Sequence, residues 1–182
     1  MEVALEGSLH VAQVLLVGEV ALRITNEGAP VKMSFDPELP LGASVQSARL
    51  GEREIPATIV QHAQDTHAHI DFDLPRGESV LRLAYGGGVA IVLPASSPVL
   101  GERSRGARIV GVSLKDRVYT IAIDHLASEA GTFELRTPWK IETVQGARFA
   151  ALTPSSYRLT IAPAGNERIY QRNNLTVTFR VE

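Results

Sequence analysis

Four residues with chemistry in their side chains alternate along one short stretch, Thr66-His67-Ala68-His69-Ile70-Asp71-Phe72-Asp73-Leu74. On an extended chain, side chains two apart share a face, so His67, His69, Asp71 and Asp73 project together. Two neutral imidazoles beside a carboxylate are the donor set of zinc and other first-row metals, which makes His67, His69 and Asp71 the candidate metal ligands. A metal centre needs a third or fourth ligand from a distant segment, and the spacing names none. The alternative is a solvent-facing row whose back, Ala68, Ile70, Phe72 and Leu74, is buried. That is the expected arrangement, with His67 and His69 more exposed than Ile70 and Phe72.

Asp124-His125 in IAIDHLASEA, with Ser113 and Ser128 nearby in sequence, contains the ingredients of nucleophilic catalysis. No Gly-x-Ser-x-Gly elbow accompanies them, and adjacency in sequence is not triad geometry. With no cysteine, a thiol nucleophile, a disulfide scaffold and a thiolate metal site are all excluded. Gly86-Gly87-Gly88 is followed by no Gly-Lys-Ser/Thr and no helix pattern, so it is not a phosphate loop. Trp139 in RTPWK is the only tryptophan. It is the candidate ligand-binding residue if the protein stacks on sugar rings, and otherwise a core or interface ring. No catalytic residue and no cofactor is expected.

The elements that must carry these residues are strands. Val20, Leu22 and Ile24 alternate with polar or small residues, as do Val31, Met33 and Phe35; Tyr119, Ile121 and Ile123; Tyr157, Leu159 and Ile161; and Leu175, Val177 and Phe179. Period two over such runs means a half-buried strand. Turn signals separate them, among them Asn26-Glu27-Gly28, Gly51-Glu52, Pro75-Arg76-Gly77 and Lys115-Asp116. The count is about twelve or thirteen strands at a spacing typical of all-β sandwiches. His125 to Ala130 is too short for more than a connector.

The expected fold is all-β, with two immunoglobulin-like antiparallel β-sandwich units in tandem. The first covers residues 1–88, a connector 89–106, and the second 107–182. The three glycines are expected to break the strand that ends at Tyr85. Residues 1–90 hold 12 acidic and 6 basic groups, residues 91–182 hold 8 and 12, and the chain nets -2. Opposite charge favours docking of the halves on one another. The basic residues are scattered singly, which argues against nucleic acid. No apolar run is long enough to span a membrane, and Met1 to Gly7 lacks a basic signal-peptide start.

Leu39 to Pro56, LPLGASVQSARLGEREIP, resembles a strand-turn-strand of the accessory β-sandwich modules in large bacterial exported hydrolases. Val80 to Gly88, VLRLAYGGG, resembles their closing strand. The resemblance implies a non-catalytic structural or interaction domain of a larger exported or cell-surface protein. Its partner would be a neighbouring domain or another protein. Carbohydrate binding is the second expectation, and a metal-dependent enzyme centred on His67 and His69 the third. The His-x-His pair is similar to the start of a cupin metal site, but the later Glu and distant His of that pattern are missing.

Overall fold

A computed structural model of the chain describes residues 9–16, 18–61, 65–94 and 106–180, with side chains from residue 18 onward. The described residues form sixteen strands and no helix. They are β1 (Leu9–Leu16), β2 (Glu19–Asn26), β3 (Val31–Phe35), β4 (Glu38–Leu39), β5 (Leu41–Leu50), β6 (Arg53–Glu54), β7 (Thr58–Gln61) and β8 (Thr66–Leu74). There follow β9 (Gly77–Val92), β10 (Arg108–Lys115), β11 (Val118–Leu126), β12 (Gly131–Arg136), β13 (Ile141–Gln145), β14 (Arg148–Thr153), β15 (Ser156–Ile161) and β16 (Tyr170–Phe179). They lie in three antiparallel sheets. The count exceeds the expectation because β4 and β6 are two-residue pieces and β7 shows no apolar alternation, TIVQ being exposed at every position.

The chain divides into two compact units. One comprises residues 1–39 and 43–86, the other residues 40–42 and 87–182. In the first, β2 pairs with the N-terminal part of β9, while β8 is flanked by β3 and β4 on one side and β7 on the other. Its core takes Val20, Leu22 and Ile24 from β2, Leu81 and Leu83 from β9, and Ala68, Ile70, Phe72 and Leu74 from β8. Each fully buried leucine, isoleucine or valine of this set contributes about 1.5–3 kcal/mol relative to an exposed one.

In the second unit, β10-β11-β16-β13 faces a set formed by the end of β9 with β12, β15 and β14. Tyr119, Ile121 and Ile123 from β11 and Leu175, Val177 and Phe179 from β16 meet Phe133 and Leu135 from β12 and Leu159 from β15 in one core. With β10 to β16 lettered A to G, the sheets run A-B-G-D and C-F-E, with β9 beside C. The immunoglobulin constant order is ABED and CFG. The connectivity is therefore a different one.

The glycines do not break β9. The strand continues through Gly86–Gly88 to Val92, and its far end pairs Ala90, Ile91 and Val92 with Arg136, Leu135 and Glu134 of β12. Gly87 and Gly88 have φ of 72° and 84°, so the chain bends there without ending, at a conformation that side chains with a Cβ resist. The connector expected from residue 89 thus begins as strand; residues 95–105 of it lie outside the described residues. Asp116 and Arg117 make the two-residue turn between β10 and β11 with φ of 47° and 67°. Both central residues are left-handed, as in a type I′ hairpin, without the usual glycine. The Arg117 carbonyl accepts from Phe179 N at 3.1 Å and its guanidinium donates to the Arg180 carbonyl at 2.7 Å, which holds the turn in place.

Candidate functional site

The row on β8 is as its alternation dictates. Ile70 is fully buried, whereas the side chains of His67 and His69 are 26% and 39% exposed. β3 and the bend after it supply the partners. Ser34 is in register with Asp71, and Asp36 lies one step beyond the last β3 pair, Phe35 with Ile70. His69 Nδ1 sits 2.6 Å from Asp36 Oδ1, and its Nε2 sits 3.2 Å from Asp71 Oδ2. The Ser34 hydroxyl donates to the other oxygen of Asp71. His67 Nδ1 is 3.1 Å from the Asp36 carbonyl, and its Nε2 is 3.5 Å from Asp65.

The protonation of this cluster follows from its donors and acceptors. Ionised carboxylates only accept, so an imidazole held at both nitrogens by carboxylates can donate to both only in its protonated form, which this arrangement favours. Asp36, and after it Asp71, accordingly raise the His69 pKa above its ordinary value. The Asp36 carbonyl raises that of His67, with Asp65 adding to it. The Ser34 hydroxyl, and then His69, hold Asp71 below the usual carboxylate range.

Among the described residues no group of three or more His, Asp or Glu side chains is placed to hold a metal ion. Nor is the Ser34–Asp71–His69 line a triad. The hydroxyl meets the carboxylate rather than the imidazole, and a carboxylate of lowered pKa is a poor base for it. Beside the cluster, Lys32, Ser34, Asp71 and Asp73 edge a shallow, open groove of about 480 Å³.

The other candidates do not converge. Asp124 and His125 are consecutive on β11 and so face opposite ways. Asp124 is bound on the exposed side by Arg172 through two bonds, at 2.8 and 3.0 Å, and that guanidinium lowers its pKa. His125 is buried, with Nδ1 2.8 Å from the Leu126 carbonyl. Ser113 bonds Thr120 at 2.6 Å. Trp139 is half-buried. It packs edge-on against Phe179 at 5.3 Å between ring centres and belongs to the second unit's core. Its ring closes on Gly42. His62 lies outside the described residues, as does the side chain of His10.

Sequence reasoning missed Ser34 and Asp36. Their outward parity with Lys32 between Val31, Met33 and Phe35 was visible, but the register of β3 on β8 was not. No protein-family model, curated protein or solved structure matches the chain.

Proposed function

We propose that this chain is a non-catalytic module: two β-sandwich units in tandem that serve as a structural or interaction domain of a larger exported or cell-surface bacterial protein. The units are immunoglobulin-like in layering, two antiparallel sheets over one core, rather than in strand order.

The observation that carries the reading is how the reactive groups are wired. His69 spends both nitrogens on Asp36 and Asp71, Ser34 is committed to Asp71, and Asp124 to Arg172. Each has a structural partner on an open surface, where water competes with any substrate. Large apolar side chains meanwhile stand exposed on edge strands, among them Ile59 and Val60 on β7, Ile109 and Val110 on β10, and Phe149 and Leu152 on β14. Exposed apolar patches on strand edges suit protein contacts better than catalysis.

The test is to incubate the purified chain with glycoside, ester and phosphate substrates, with and without zinc. Background rates are expected throughout. Turnover that His67→Ala or Asp71→Ala abolishes would overturn the reading and return the cluster on β8 to the status of an active centre.

A further inference from the structure

In the sheet β10-β11-β16-β13, Tyr119, Ile121, Ile123, Leu175 and Val177 fill the core of the second unit. The residues between them point away from that core and form rows across the strands. Arg108, Asp124 and Arg172 make one row on β10, β11 and β16. Gly111, Ala122 and Asn174 make the next. Ser113, Thr120, Thr176 and Gln145 make a third, across all four strands. The middle row is the smallest on β10 and β11. It floors a shallow trough between the other two, which stand about 13 Å apart along the strands.

The two walls of the trough differ in chemistry. One is built of hydroxyls and an amide, which both donate and accept. The other is cationic. Arg172 binds Asp124 through Nε and Nη2 at 2.8 and 3.0 Å, which cancels one charge and leaves its Nη1 donors open. The Arg108 guanidinium lies over the Tyr170 ring, 4.9 Å from its centre, and hydrogen-bonds to nothing among the described residues. The ring is itself tied down, its hydroxyl donating to the Gly106 carbonyl at 3.2 Å. The N–H donors of Arg108 are thus held in place and unspent. Asp124 is the one carboxylate among the described residues paired on this face. Glu142 stands in the β13 bulge, at the Thr178 end and away from the arginines.

We infer that this face binds an extended polysaccharide that carries carboxylates, a polyuronate, laid along the trough. The inference rests on the interaction-module reading above and names the partner of one surface. The wall of hydroxyls and amide matches the hydroxyls of sugars, and the trough offers no large apolar side chain to anchor a protein. Two guanidiniums against one carboxylate leave a single surplus charge. That suits singly charged carboxylates, which a guanidinium takes in a fork, as Arg172 takes Asp124. Arg108 and Arg172 rise from strands two spacings apart, about 9.5 Å, so a polymer with repeated carboxylates engages both ends of the row.

The experiment is titration calorimetry of the full chain with polygalacturonate, its methyl-esterified form, poly-glutamate and dextran sulfate. Polygalacturonate should bind most tightly, and its binding should weaken several-fold at high salt. The esterified polymer keeps the sugars and loses the charge, so it should bind about tenfold more weakly. Arg108→Ala should cost about tenfold, the worth of a charge-assisted bond. Ala122→Leu raises the trough floor without changing the charge and should weaken binding several-fold. Arg148→Ala, on β14 in the other sheet, removes the same charge and should bind like the parent. Far-ultraviolet circular dichroism checks each fold. If Ala122→Leu disturbs it, Thr176→Val on the opposite wall takes its place. A parent that does not bind polygalacturonate overturns the inference. So does poly-glutamate, dextran sulfate or the ester binding as tightly, Arg108→Ala or the trough variant binding like the parent, or Arg148→Ala losing as much as Arg108→Ala. Such a failure leaves the non-catalytic reading standing, since the turnover assay decides that separately.

Discussion

Replacing Gly42 by alanine tests how tightly the second unit is closed around its only tryptophan. Gly42 has a φ of 79°, where a residue with a Cβ pays about 1–2 kcal/mol. The added methyl would also stand 2.6 Å from Leu114 Cδ2 and 3.0 Å from Trp139 Cη2. The leucine tip can rotate away. The indole is held between this point and Phe179, so its share of the crowding remains. Overpacking of this kind costs about 1–3 kcal/mol, and with the backbone strain the total loss is about 2–5 kcal/mol.

Gly87→Ala is the internal control. It lies in the same unit with a φ of 72°, but its added methyl meets the Gly42 carbonyl oxygen at 3.6 Å and Trp139 at 3.9 Å, ordinary contacts. It should lose only the strain, about 1–2 kcal/mol. Urea unfolding followed by tryptophan fluorescence reads both variants through Trp139, since no other residue contributes to that signal. A Gly42→Ala protein no less stable than Gly87→Ala would refute the argument from close approach.

Two further outcomes follow from the cores and the charged row. Leu159→Ala, at a fully buried position between Phe133 and Phe149 in the register of β15, should destabilise the second unit by about 2.7–5 kcal/mol in the same assay. A loss below 1 kcal/mol, on the order of an exposed site, would contradict the shared core. The pH dependence of the β8 cluster has a definite sign. His69 has a raised pKa when folded, so its contribution is complete below the unfolded value of 6.5 and is lost as pH rises through the raised one. Asp71 has a lowered pKa, so its contribution is present above 3.8 and is lost as pH falls through the lowered one. The cluster is thus strongest between these limits. Imidazole proton shifts followed by NMR should show His69 titrating above an unperturbed histidine, and Asp36→Asn should bring it back down.

The strands were legible wherever one face is buried and the other wet. Tyr119, Ile121 and Ile123, or Ala68, Ile70, Phe72 and Leu74, announce themselves because water enforces the alternation. β7 was not legible, since an edge exposed on both faces has no reason to alternate. The bend at Gly86–Gly88 was visible as glycine but misread as an ending. Local composition shows that the chain must adopt unusual φ values; it does not show that β12, more than forty residues later, will take up the ladder again. For the cluster on β8 the half carried by one strand could be read, and the half carried by Ser34 and Asp36 could not, because strand register is a long-range property.

The three residues Pro40–Gly42 sit in the sequence of the first unit but belong to the second, where Leu41 packs on the core and Gly42 lies under Trp139. No single cut yields either unit whole. Cleavage between Gly86 and Gly87 would leave the C-terminal piece without its floor beneath the indole and the N-terminal piece with an apolar leucine it has no use for. Recombination at one boundary would carry the same defect, so a single crossover cannot exchange either unit whole.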